Sequence, residues 1–65
     1  MKIEVNGKTL EVAATTLAAL LNELDYDEGH VATALNRGFV RKTQRAQTKI
    51  KEGDAVEIVS PRQGG

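Results

Sequence analysis

Oxygen and nitrogen donors gather in residues 25–30, where three acidic residues and His30 fall within six positions. Such a set could hold a divalent cation, but the calcium-loop pattern fails. Its sixth position should be glycine and is His30, and its twelfth should be glutamate and is Asn36. His30 is also the only histidine, and the chain has no cysteine, so a hydrolytic triad or a thiolate metal site lacks its parts. We interpret this segment as a solvated acidic loop and predict no metal site and no catalysis by the chain alone.

Six basic residues and no acidic residue lie in residues 37–51. A pattern of this kind can follow phosphates, yet Phe39 is the only aromatic residue there, so stacking platforms for bases are missing. Over the whole chain nine bases balance nine acids. We therefore predict no nucleic-acid binding and interpret the segment as a solvated face or a docking surface for an acidic protein. The six are Arg37, Arg41, Lys42, Arg45, Lys49 and Lys51.

Residues 60–65 read SPRQGG and finish on two glycines. Because they have no Cβ atom, Gly64 and Gly65 can enter a channel too narrow for other residues. Pro61 ends regular strand pairing, and five extended residues span about 17 Å at about 3.3–3.6 Å per residue. The sequence therefore predicts a free tail, residues 61–65, able to reach a pocket of another protein.

The reactive group of such a tail is the α-carboxylate of Gly65. With an ordinary pKa of about 3.3–3.7 it is an anion at neutral pH and a poor electrophile. Adenylation by ATP would activate it, since a mixed anhydride accepts a nucleophile. The chain has no Walker-type phosphate loop, so the ATP site must belong to another protein.

The elements that position this tail can be predicted from residue periodicity. Residues 2–5 and 8–12 alternate polar and apolar around Asn6-Gly7, which predicts a hairpin with a type I′ turn. Thr15 or Thr16 can cap a helix, which the acidic stretch from residue 25 and then Gly29 should end. Its apolar stripe is Leu17, Leu20, Leu21 and Leu24.

The second half of the chain predicts three further strands. We expect a strand at residues 31–35, a three-residue turn at 36–38 and a short strand at 39–41. Residues 42–49 read as a loop with at most one helical turn, followed by Ile50 as an anchor and a last strand at 55–59. This order predicts an α+β fold of the β-grasp, or ubiquitin-like, type: a mixed four- to five-stranded sheet with one helix packed across it. In that fold the first and last strands are parallel neighbours, which places the tail at one edge of the domain (residues 1–60).

Several of these segments together resemble a known protein family. The Asn6-Gly7 opening, the helix leucines and, above all, the stretch GDAVEIV at residues 53–59 followed by the terminal Gly64-Gly65 are similar to the bacterial sulfur carrier proteins of the thiamine pathway, the ThiS family. The resemblance covers the whole chain. It extends, more distantly, to the small subunit of molybdopterin synthase.

The resemblance implies a carrier rather than an enzyme. A ThiF-type adenylating enzyme would activate Gly65 with ATP and magnesium. Sulfur from a cysteine desulfurase or a rhodanese-like donor would then give a Gly65 thiocarboxylate. A ThiG-type thiazole synthase would receive that sulfur for the thiazole of thiamine. Gly64 provides access, and Ile58, Val59, Arg62 and Gln63 are candidates for fold or docking.

Other destinations and other classes stay open on the sequence. A carrier with this ending could serve molybdopterin, cysteine or tRNA thiolation. A ubiquitin-like protein modifier would use the same activation and end in an isopeptide bond, and a plain interaction module would use the basic segment alone. With no signal-peptide pattern and no apolar run long enough to cross a bilayer, we expect a complete, soluble, cytoplasmic protein that binds neither cofactor nor membrane.

Overall fold

The computed structural model describes residues 1–60 as a five-stranded sheet with one α-helix packed across it, and the predicted tail at residues 61–65 lies outside the described residues. The sheet order is β2-β1-β5-β3-β4, with β1 and β5 parallel and every other pair antiparallel. This confirms the predicted β-grasp architecture. The elements are β1 (Lys2–Val5), β2 (Lys8–Glu11), α1 (Leu17–Glu23), β3 (Ala32–Leu35), β4 (Gly38–Val40) and β5 (Ala55–Val59).

The core lies between the helix and one face of the sheet. On α1 the predicted stripe is confirmed, since Leu17, Leu20 and Leu21 are fully buried and Leu24 packs at its margin. Ile50, the predicted anchor, is also buried. The strands contribute every second residue to the same core, namely Ile3, Val5, Val56 and Ile58.

Helix α1 begins as predicted and ends before Gly29. The Thr16 side chain caps it by accepting from the Ala19 N–H at 3.1 Å. The helix stops at Glu23, and Asp25 reverses the chain with a φ of 65°. Gly29 takes no part in the ending; it lies in a separate 3₁₀ helix, Glu28–His30. The prediction that the acidic stretch from residue 25 ends the helix is confirmed, since Asp25 directly follows the C-cap Leu24, and the part assigned to Gly29 was wrong.

Both hairpins close with two-residue turns. In the first, Val5 pairs with Lys8, and Asn6 and Gly7 have φ values of 51° and 84°, as a type I′ turn requires. In the second, Leu35 pairs with Gly38, so the predicted three-residue turn was wrong. There Arg37 takes the left-handed position that a glycine usually fills. As a consequence β4 is Gly38–Val40 rather than residues 39–41.

The segment that follows β4 is a 3₁₀ helix of six residues, Lys42–Gln47, which is about two turns. The prediction of a loop with at most one helical turn was therefore wrong in extent. One of its bases is not on the surface. Arg45 is only 2% exposed, so the interpretation of the whole basic segment as a solvated face was wrong at this residue. Within residues 1–60 no helix is long and apolar enough to cross a membrane.

Candidate functional site

The last strand, β5, leads directly to the predicted tail. It is the central strand of the sheet, paired with β1 on one side and β3 on the other. Ile58 points into the core and is 5% exposed, so it serves the fold, whereas Val59 points to the opposite face and is 58% exposed. Of these two docking candidates, Val59 is the one that a partner could contact.

Two asparagine side chains hold β5 at its two ends. Near the end that leads to the tail, Asn6 Oδ1 accepts from the Ile58 N–H at 2.8 Å, and Asn6 Nδ2 donates to the Ile58 carbonyl at 3.1 Å. At the other end, Asn36 Oδ1 accepts from the Ala55 N–H at 2.9 Å, and Asn36 Nδ2 donates to Asp54 Oδ1 at 3.1 Å. The sequence predicted a turn at each asparagine, with the wrong length for the second, and neither of these contacts.

The sheet face opposite the helix carries an exposed apolar patch. Phe39 is 71% exposed and sits opposite Ala34 in the register of β3 and β4. Val59 sits opposite Ala32 in the register of β3 and β5. These residues line a shallow hollow together with Glu57. We call Ala32, Ala34, Phe39 and Val59 the outer patch; it reaches the residue next to Ser60, where the tail begins.

The acidic loop is a small capping structure. Asp27 Oδ1 accepts from the Gly29 N–H at 3.2 Å, and Asp27 Oδ2 lies 2.7 Å from His30 Nδ1. The hydrogen bond with His30, followed by the one from Gly29, lowers the pKa of the exposed Asp27 carboxyl. Both carboxylate oxygens are thus used locally. Among residues 1–60, no three His, Asp or Glu side chains are grouped so that they could hold a metal ion.

Arg45 in the basic segment is a structural residue that the sequence did not reveal. Its guanidinium donates to Thr33 Oγ1 at 3.0 Å, to the Glu28 carbonyl at 2.9 Å and to the Val31 carbonyl at 2.6 Å. It therefore joins the two 3₁₀ helices to the start of β3. The other five bases of the segment are exposed.

The remaining predicted site residues cannot be located. Gly64 and Gly65, together with the docking candidates Arg62 and Gln63, lie outside the described residues. What the structure brings together is the support of the tail: the end of β5, the Asn6 side chain and the outer patch.

Comparison with known proteins supports the resemblance seen in the sequence. The model of the ThiS family matches residues 3–65. A thiazole synthase of Paramagnetospirillum magneticum is 39% identical over 66 residues, which is all of this chain and 20% of that protein. The chain therefore spans about a fifth of the length of that curated relative.

Solved structures agree in fold over the full chain. The crystal structure of the thiamine biosynthesis protein ThiS from Geobacter metallireducens superposes with a TM-score of 0.86 at 30% identity, and the match covers all of both chains. The solution structure of a thiamine biosynthesis protein from the same organism gives 0.82 at 32% identity, covering all of this chain and 88% of that one. The chain belongs to the ThiS family, the small β-grasp sulfur carriers of thiamine biosynthesis.

Proposed function

We propose that the α-carboxylate of Gly65 carries the sulfur as a thiocarboxylate. The observation that supports this most is that the ThiS match runs through residue 65 and so includes both terminal glycines. The chain has no cysteine, so a carboxylate is the group on which it can hold sulfur. Gly64 gives the tail access to a narrow active site.

The chemistry needs partner proteins at each step. On a ThiF-type enzyme with ATP and magnesium, the Gly65 carboxylate attacks the α-phosphorus and pyrophosphate leaves. The outer sulfur of a protein persulfide, on a cysteine desulfurase or a rhodanese-like donor, then attacks the acyl carbon and AMP leaves. This gives an acyl disulfide between Gly65 and the donor's cysteine. A thiol then attacks the cysteine sulfur, which releases the Gly65 thiocarboxylate and leaves a disulfide between that thiol and the donor's cysteine. Because ATP and free thiols are needed, we place the cycle in the cytoplasm.

We further propose a ThiG-type thiazole synthase as the acceptor. The supporting observation is the identity shared with a thiazole synthase along the whole of this chain. In this account the chain is a co-substrate, and the thiazole synthase forms the carbon–sulfur bond.

The outer patch is the surface that we propose for docking to the adenylating enzyme. Phe39 and Val59 are the large hydrophobic residues exposed in the described part of the chain, and they share one face of the sheet. A partner that covers this face meets the end of β5. Arg62 and Gln63 follow Ser60 closely in the sequence, and we propose them as further docking residues. Docking and delivery of Gly65 would then occur in one binding event.

The test is the intact mass of the purified protein after incubation with a ThiF-type enzyme, ATP and a persulfide donor, with a parallel sample without ATP. We expect an ATP-dependent mass increase equal to the exchange of one oxygen for one sulfur. The absence of this increase with several competent adenylating enzymes would contradict the carrier chemistry. Covalent conjugates to other proteins would instead favour a ubiquitin-like modifier.

A further inference from the structure

Ile58 has backbone groups that point toward a strand that has already ended. Strand β1 runs beside β5 only as far as Val5, which pairs with Val56, and the Asn6 N–H donates to the Val56 carbonyl at 2.9 Å. After Asn6 the chain turns away into β2. In a strand, alternate residues direct their N–H and C=O to the same side, so Ile58 is the next residue that needs partners from the β1 side.

The Asn6 side chain supplies those partners. A primary amide carries an acceptor oxygen and a donor NH₂ group side by side on one carbon, so it can bind the N–H and the C=O of one residue together. Both are used, at 2.8 Å to the Ile58 N–H and at 3.1 Å to the Ile58 carbonyl. On the other side of β5, Val59 pairs with Ala32. The last strand is thus held through Ile58 on the β1 side and through Val59 on the β3 side.

The turn itself does not need this amide. Glycine adopts the φ of 51° at this position without cost, and two-residue hairpins accept it there. Asn6 is an exposed residue and its two hydrogen bonds to Ile58 are part-buried; a single hydrogen bond makes only a modest net contribution to stability. Two bonds of this kind are a modest gain for the fold, but they set the position of the chain directly before the tail.

We propose that Asn6 is a positioning residue for the loading of sulfur onto this chain. By holding Ile58 it fixes the point and the direction from which the chain leaves the sheet. When a partner is docked on the outer patch, this limits the region in which Gly65 can meet the partner's catalytic groups. This inference rests on the proposed function. Misplacement of a reacting group by about 1 Å can lower a rate by about a hundredfold, so an effect on the rate should exceed the effect on stability.

The chain contains a matched control. Asn36 also stands first in a two-residue turn, has a φ of 48°, and binds the backbone of β5 through its side chain, but at Ala55, the end away from the tail. The substitutions Asn6→Gly and Asn36→Gly both keep the left-handed backbone and both remove the amide. Asn6→Asp keeps the acceptor for the Ile58 N–H and removes the donor.

The experiment measures the steady-state rate of thiocarboxylate formation with a ThiF-type enzyme as the concentration of the carrier is varied. For Asn6→Gly we expect kcat to fall about tenfold or more with little change in KM, since the outer patch is intact. Asn36→Gly should stay within about twofold of the unchanged protein, and Asn6→Asp should fall between the two. Hydrogen exchange gives a readout independent of activity: the Ile58 amide should exchange faster in Asn6→Gly, and the Ala55 amide in Asn36→Gly.

Three outcomes would overturn the inference. If Asn6→Gly frees the Ile58 amide but leaves kcat unchanged, holding the strand does not position the tail. If Asn6→Gly and Asn36→Gly lower kcat equally, the effect is one of general stability. If the unchanged protein takes up no sulfur, the proposed function fails as well, and that result is distinct from the first two.

Discussion

The two turns that flank β5 have similar backbones and different consequences. Asn36 holds the beginning of the strand, and its amide belongs to a closed network, because the Asp54 carboxylate that accepts from it also accepts from the Lys51 N–H at 2.9 Å. Asn6 holds the end of the strand, and the chain beyond its contact leads to the tail. The two asparagines thus make similar contacts at opposite ends of one strand, and we propose that the contact of Asn6 serves delivery of the tail whereas that of Asn36 serves folding.

The largest effect should come from the tail itself. Deleting Gly65 should abolish sulfur loading, because the next carboxylate is one residue too short to reach the reacting position. The melting temperature should stay unchanged, since the core lies within residues 3–58. Intact mass after the loading reaction and thermal unfolding of the same sample measure both. A truncated protein that is still loaded would mean that the sulfur is carried elsewhere.

Arg45 is expected to affect the stability of the fold without hydrogen bonding to β5. Arg45→Met should lower the free energy of unfolding by about 2–4 kcal/mol, because the buried hydroxyl of Thr33 and the part-buried carbonyls of Glu28 and Val31 lose their donor. Urea denaturation measures this, with exposed Arg41→Met as the control, for which we expect a change within about 0.5 kcal/mol. Equal stability of the two variants would show that the Arg45 contacts contribute nothing net.

A substitution in the outer patch tests whether docking to the adenylating enzyme is separate from the positioning role proposed for Asn6. Phe39→Ser should weaken binding to a ThiF-type enzyme about tenfold, which is about 1.4 kcal/mol, since a large exposed hydrophobic side chain is removed. Thr9→Ala, on the distant strand β2, is the control. Calorimetric titration gives the Kd of each variant. We expect the opposite pattern to Asn6→Gly, a raised KM with little change in kcat; a lowered kcat at unchanged KM would argue against a docking role.

The second positions of the two turns offer a smaller effect. Gly7 adopts its φ of 84° freely, whereas Arg37 holds a φ of 74° that side chains rarely adopt. Arg37→Gly should therefore raise the free energy of unfolding by about 0.5–1 kcal/mol. This net value is the backbone strain that the substitution relieves, less the conformational freedom that glycine adds to the unfolded chain. Gly7→Ala should lower the free energy of unfolding. Chemical denaturation measures the free energy of unfolding of both variants. Destabilisation by Arg37→Gly would mean that the Arg37 side chain stabilises the fold by more than its backbone strain costs.

The smallest expected effect is that of His30, which forms no hydrogen bond with either end of β5 and acts on the pKa of Asp27. In His30→Ala the pKa of Asp27 should rise toward its ordinary value, because the hydrogen bond that lowers it most is lost and only the one from Gly29 remains. Asp27 stabilises the fold above its unfolded pKa of 3.8, and this contribution disappears as the pH falls through the lower folded pKa. The substitution should diminish that acid-side loss. Carboxyl NMR titration measures the shift, and an unmoved pKa would contradict the assigned cause.

Much of the fold could be predicted because the local patterns agree with one another. The alternation around Asn6-Gly7, the leucine stripe of α1 and the strand at residues 55–59 each carry their period clearly, and the structure follows all three. The errors lie at the end of α1 and at the second turn, where one residue with a positive φ determines the path of the chain. Asp25 ends the helix and Arg37 tightens the second turn, both at positive φ. Aspartate is enriched at positive φ but adopts it in a minority of cases, and arginine is not enriched there, so the sequence did not single out either position.

The supporting contacts of the site could not be predicted, for a different reason. Asn6 and Ile58 are 52 residues apart, as the hydrogen bonds between them record, so their meeting depends on the parallel pairing of the first and last strands. Arg45 looked like its exposed neighbours because its partners are two backbone carbonyls and a hydroxyl rather than an acidic residue. Burial of this kind leaves no charge pattern in the sequence.

The central claim is that sulfur is held on Gly65, and its most direct test is the mass spectrum of the C-terminal peptide after loading. Alkylation of the loaded protein followed by cleavage after Arg62 releases Gln63, Gly64 and Gly65 as one fragment. The account predicts an alkylated thiocarboxylate on Gly65 in samples that contained ATP and an unmodified fragment in samples that did not. Sulfur on any other residue, or an unmodified fragment from a loaded protein, would contradict it.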